Sequence, residues 1–161
     1  MADTRTSTQL KTSDCIHLIM TRTPRVGRLV FVDAGWPMVF PMSYYANGKL
    51  VYFRTAPDSR LLAALDMRQV TFAVDHVDDV EDEGWSVLAF GRLRMLLDED
   101  ELDHLRQSPL RPWSRGDRLY YLRLDVATVT GRRFTWAAEA RQAALHEREG
   151  IPEHVAEHAR R

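Results

Sequence analysis

The residues with the clearest chemical potential are Arg54, Thr55, Ser59 and Arg60, in the run YFRTAPDSRLLAAL at 52–65. A strand pattern ends at Arg54-Thr55, Pro57 turns the chain, and Asp58 or Ser59 can cap a short helix bearing Leu61, Leu62 and Leu65. The first turn of a helix exposes unpaired N–H groups and a partial positive charge, which together favour a phosphate. Thr55 and Ser59 can donate hydroxyl hydrogen bonds to such an anion, and Arg60 can add a charge-assisted fork. Strand alternation sends Arg54 to the face opposite Thr55, so it reaches the same anion only where the strand twists or ends. The residue types fit a capped helix with surface arginines equally well, and spacing alone leaves both readings open.

Other constellations fail on their spacing. His154 to His158 matches H-x-x-E-H, but only three residues follow His158, so a charged tail is expected rather than a zinc site. The acidic run 78–84 has Val80 at an early ligand position and Trp85 after Gly84, which suits a solvated turn better than a calcium loop. Cys15 is the only cysteine, so no intrachain disulfide forms, and it reads as a small core residue on the apolar face of a helix. His17 and His76 read as structural, and no metal site is expected. Trp85, Trp113 and Trp136 could stack on a planar ring, although each taken singly fits core or interface packing. No nucleophile elbow, phosphate loop or dinucleotide fingerprint occurs.

Composition narrows the classes further. The 161 residues are 45% hydrophobic and 28% charged, enough for one packed domain. Twenty-two Lys and Arg against 23 Asp and Glu leave a net charge of -1, which argues against a protein that coats nucleic acid or an anionic membrane. The polar start is not followed by an apolar stretch, and no run approaches the roughly 20 apolar residues of a membrane helix. A soluble cytoplasmic protein is expected.

The elements that must position Arg54 to Arg60 are mostly strands. Residues 1–12 read as a flexible arm, and 14–22 as a short amphipathic helix with an Asp or Ser cap. Strands follow at 28–33 and 37–46, joined by an Ala34-Gly35 turn. Asn47-Gly48 then makes a tight hairpin into 49–55. Pro41 inside the second of these strands cannot donate to a ladder, so an edge or bulge is expected there. Further strands are expected at 69–77, at 85–96 with a bend at Gly91, and at 118–130. Asp98 and Glu101 form a capping box for a helix through Arg106. A last helix at 136–148 begins a C-terminal extension, 137–161. Six strands with short connections imply a mainly β protein, a small antiparallel barrel.

Several segments, in this order, resemble a known family. They are Gly27-Arg28-Leu29 with VFV, Pro41-Met42-Ser43-Tyr44, the 52–65 run, Gly84-Trp85-Ser86-Val87-Leu88 with Gly91-Arg92, and Thr130-Gly131-Arg132-Arg133-Phe134. Together they resemble the pyridoxamine 5′-phosphate oxidase-like proteins, the FMN-binding split-barrel superfamily, over roughly 13–136. The resemblance implies a six-stranded antiparallel split β-barrel that forms a homodimer with FMN at the subunit interface. Arg54, Thr55, Ser59 and Arg60 would hold the FMN phosphate. Pro41, Met42 and Ser43 would run along the isoalloxazine ring, and Trp85 and Ser86 would reach the cofactor, often from the other subunit. Trp113 and Arg133 are further candidates for the far wall. Leu61 stands where the true oxidases carry a Lys, and 107–134 holds no counterpart of their substrate-phosphate segment, so vitamin oxidation is not expected. The function implied is a flavin-dependent oxidoreductase of unspecified substrate. Relatives that bind the deazaflavin coenzyme or haem offer one alternative. A non-enzymatic dimeric binding or regulatory module offers another.

Overall fold

The computed structural model describes residues 5–23, 25–56, 61, 69–78, 83–110 and 120–136. In chain order these form β1 (Arg5–Gln9), α1 (Thr12–Thr21), β2 (Val26–Asp33), β3 (Trp36–Asn47) and β4 (Leu50–Thr55). After these come β5 (Gln69–Asp78), β6 (Glu83–Met95), α2 (Glu99–Arg106) and β7 (Tyr120–Trp136). Among the described residues every strand pairing is antiparallel. Strands β7, β4, β3, β2, β5 and β6 close into a ring through the β6–β7 pairing, and β1 adds to the free side of β7. The described residues thus form a six-stranded barrel with a seventh strand attached.

That seventh strand corrects the N-terminal reading. Residues 5–9, expected within a flexible arm, pair from Arg5↔Trp136 to Gln9↔Arg132. Their run of Thr, Ser and Gln lacks the apolar alternation that marks a strand, and the partner lies far along the chain. The cap of α1 also differs: Lys11 occupies the N-cap and makes no side-chain bond. The helix holds because Cys15 and Ile19 bury one face on the barrel, not because of its cap.

Alternation along the strands fills the interior. Leu29, Phe53, Phe72, Leu122 and Leu124 are fully buried. Phe72 sits at the centre, edge-on to Tyr44 at 5.0 Å and to Phe53 at 5.1 Å between ring centroids. The turns carry the φ values the ladder needs. Ala34 and Gly35 both have positive φ in the β2–β3 hairpin, the pattern that matches strand twist. The β3–β4 turn centres on Gly48-Lys49, one residue later than expected, since Asn47 already pairs with Leu50. At Gly91 the β6–β7 register shifts: Phe90 pairs with Thr128 and Gly91 with Val126, so the extra residue, Ala127, lies on β7. A Cβ at Gly91 would lie 2.1 Å from the Asp125 carbonyl oxygen, so only glycine lets β7 approach. Asp98 caps α2 as expected, its Oδ1 accepting from the Glu101 N–H at 2.9 Å. Among the described residues no helix is long and apolar enough to cross a membrane.

Candidate functional site

The barrel opens at one seam. The β3–β4 ladder holds four pairs, from Asn47↔Leu50 to Tyr44↔Phe53, and stops there. Ser43 and Arg54 would be the next to pair, but β3 and β4 separate. Over 36–43 the ladder of β3 runs to β2 alone.

The direction of the backbone groups explains why. Tyr44 donates its N–H to the Arg25 carbonyl at 3.1 Å, so even-numbered residues of β3 address β2 and odd-numbered ones the opposite side. Likewise Val126 donates to the Lys49 carbonyl at 2.9 Å, so even-numbered residues of β4 address β3. On the open side of β3, positions 37 and 41 are proline. Neither has an N–H to offer a neighbouring strand, so the ladder cannot continue, as expected of an edge proline. What the open edge presents is the carbonyls of Pro37, Val39, Pro41 and Ser43 and the N–H groups of Val39 and Ser43. A planar ligand with alternating donors and acceptors on one edge matches such a row.

The residues singled out in the sequence fall into three places. Pro41, Met42 and Ser43 form one lip of the seam; Met42 is buried against the core while Pro41 is exposed. Arg54 and Thr55 form the other lip at the end of β4. They face opposite ways: Thr55 is 2% exposed on the inner side, and the Arg54 guanidinium carbon lies outside, 5.1 Å from the Tyr121 ring centroid. Trp85 and Ser86 lie near the start of β6, three strands from β3 across β2 and β5. Within one chain they stand apart from Ser43, and Trp85 lies 6.2 Å from the His76 ring. Arg133 is exposed and pairs with Trp85 across β6–β7. Ser59, Arg60, Trp113 and the 137–161 extension lie outside the described residues.

A second feature was not visible in the sequence. Arg54 lines a cleft of about 460 Å³ between α2 and the ends of β4, β6 and β7, with Leu96, Leu97, Leu102, Tyr120 and Tyr121 among its walls. Underneath, Tyr52, Leu96, Leu105 and Leu110 form a small separate core. A polar chain fastens α2 to the barrel over that core. Tyr52 Oη donates to Glu101 Oε1 at 2.6 Å, Arg123 Nη1 to Glu101 Oε2 at 2.7 Å, and Arg94 Nε to Asp125 Oδ2 at 2.6 Å. Burial, then the bond to Glu101, pushes the Tyr52 hydroxyl above the usual phenol range. The register of β4 against β7 would have revealed the cleft, because Thr55↔Tyr120 and Arg54↔Tyr121 pair there. No local pattern encodes that register.

The outer faces of β2, β3, β5 and β6 carry unusual apolar exposure for a barrel exterior. Val32 and Val39 are 58% and 55% exposed, and Leu88 and Phe90 extend the same face.

Comparison with known proteins gives this architecture a context. Residues 12–133 match the family model described as pyridoxamine 5′-phosphate oxidase. The uncharacterized protein Rv3129 of Mycobacterium tuberculosis is 30% identical over 93 residues, 58% of this chain and 83% of the relative. The FAD-binding protein of Mycobacterium smegmatis superposes with a TM-score of 0.67 at 28% identity, covering 79% of this chain and 98% of that one. A FAD-binding protein of Mesorhizobium loti has the same fold, with a TM-score of 0.63 at 22% identity over 79% of this chain and 97% of its own.

Proposed function

The chain belongs to the pyridoxamine 5′-phosphate oxidase-like family, and from that premise we propose that it binds the FMN moiety of a flavin in the β3–β4 seam and serves as a flavin-dependent oxidoreductase. The observation that carries the reading is the open backbone edge at Pro41–Ser43 facing the end of β4. An isoalloxazine presents carbonyl, N–H and carbonyl groups along its pyrimidine edge, and the Ser43 N–H and Pro41 carbonyl are the complementary donor and acceptor. Thr55, Ser59 and Arg60 would hold the 5′-phosphate where β4 ends, with Arg54 beside them.

A second copy of the chain would cover the apolar outer face of β2, β3, β5 and β6. This would also account for Trp85 and Ser86, which stand apart from Ser43 within one chain but can approach the partner's seam. The flavin, when bound, supplies the electron transfer; the chain's own groups bind it, orient it and stabilise negative charge at its pyrimidine edge.

Replacing Arg60 with Ala tests the phosphate assignment. Flavin should dissociate at least tenfold more readily from Arg60→Ala on dialysis. Retention equal to that of the parent protein contradicts that role. The absorption spectrum separates this reading from its relatives: a two-band flavin spectrum supports it, whereas a single deazaflavin band or an intense haem band replaces it.

A further inference from the structure

We infer that the pocket where β1 joins β7 beside β6 is an oxyanion site charged by Arg132, and that it takes the carboxylate or phosphate end of a small organic acid, the substrate. The substrate role, though not the anion site itself, rests on the flavin reading above. Strand register builds the site. Arg132 stands directly opposite Gln9 on β1 and Ser86 on β6. Thr130 lies two residues earlier on the same face, opposite Leu88. Directly paired residues hold their Cβ atoms about 5 Å apart, so these side chains border one concavity. The Leu10 N–H, donating to the Gly131 carbonyl at 2.9 Å, holds β1 in place there.

With Gly131 these residues line a pocket of about 320 Å³, the size of a small-ligand site. Among the described residues, the side chains of Gln9, Ser86, Thr130 and Arg132 have no hydrogen-bond or ion-pair partner. An amide, two hydroxyls and a guanidinium fork therefore surround one space, and no carboxylate among the described residues lines it. Asp75, which follows Ser86 in the same row, is already held by Arg28. An oxyanion accepts from every one of these donors and gains a charge-assisted bond to Arg132. A cation is repelled, and a neutral ligand leaves the guanidinium unanswered. Leu88, 39% exposed, supplies an apolar wall for the organic part of the acid. In the two-copy arrangement proposed above, Ser86 approaches the partner's seam, so the pocket opens beside the flavin bound there.

The test is calorimetric titration of the flavin-loaded full-length protein with sodium phosphate and with sodium acetate, so that the flavin's own phosphate site is already filled. Saturable binding of at least one anion, about one per chain, is expected, and the tighter of the two identifies the head group. Arg132→Gln should weaken that binding at least tenfold. Arg92→Gln removes the same charge from an exposed position of β6 outside the pocket, and should change it less than twofold. Equal losses in the two variants, or no saturable binding in the parent protein, overturns the anion site. The bound anion should also shift the flavin absorption bands; binding without a shift overturns the substrate role alone. Failure of the protein to take up flavin overturns the flavin reading instead, and the comparison of Arg132→Gln with Arg92→Gln then still decides the anion site.

Discussion

Ser43 and Arg54 occupy the first facing positions of β3 and β4 beyond the last paired residues, Tyr44 and Phe53. Backbone parity directs the peptide groups of both toward the seam. Proline at 37 and 41 then keeps β3 from pairing further on that side. A two-residue feature of composition thus becomes an open strand edge, the edge at which the flavin is proposed to bind.

If the Ser43 N–H serves a ligand and not the β2 ladder, Ser43→Pro should leave stability nearly unchanged. Met42, preceding it, is already extended and tolerates a following proline. Flavin affinity should fall about 2- to 10-fold, the worth of one hydrogen bond of roughly 0.5–1.5 kcal/mol. Thermal unfolding and flavin titration of the same sample measure both. A collapse in melting temperature with affinity preserved would place that N–H inside the ladder.

The register shift at Gly91 has a similarly specific requirement. In Gly91→Ala the added methyl would meet backbone, the Asp125 carbonyl oxygen, which cannot rotate away as a side chain could. A loss of about 2–4 kcal/mol is expected in denaturant unfolding, at or above the upper end for overpacked cores. A change below ~0.5 kcal/mol would mean that the bulge opposite Gly91 relaxes freely.

Alkaline stability should depend on Tyr44. Its hydroxyl donates to the Ile19 carbonyl at 2.7 Å, tying α1 to β3, and burial pushes its pKa up to about 12. A folded-state pKa above the ordinary value near 10 means the protonated phenol stabilises the fold. That contribution is complete below pH 10 and is lost between about pH 10 and 12, roughly 2–3 kcal/mol in all. Tyr44→Phe should be about 1 kcal/mol less stable at pH 7 for want of the hydrogen bond, but its stability should decline less steeply above pH 10. Tyr52 is shifted in the same direction, so some slope remains. Parallel curves for the two proteins would refute the assignment to Tyr44.

Local signals made much of this architecture legible. Apolar alternation located the strands of the ring, Ala34-Gly35 and Gly48 located turns, Asp98 and Glu101 located the cap of α2, and Pro41 announced the open edge. What escaped the sequence depends on non-local pairing. The strand at Arg5–Gln9 is polar and gains its structure from a partner over 100 residues away. The cleft at Arg54 exists because β4 happens to lie against the start of β7. Trp85 and Ser86 illustrate the same limit: alternation places them on β6, but only the ring order shows how far they stand from Ser43.

The absorption spectrum of the purified protein, followed by release of whatever ligand it carries and titration of the stripped protein with FMN and FAD, bears most directly on the seam as a flavin site. The account predicts a two-band flavin spectrum and uptake of about one flavin per chain. A colourless protein whose stripped form takes up neither flavin would contradict it.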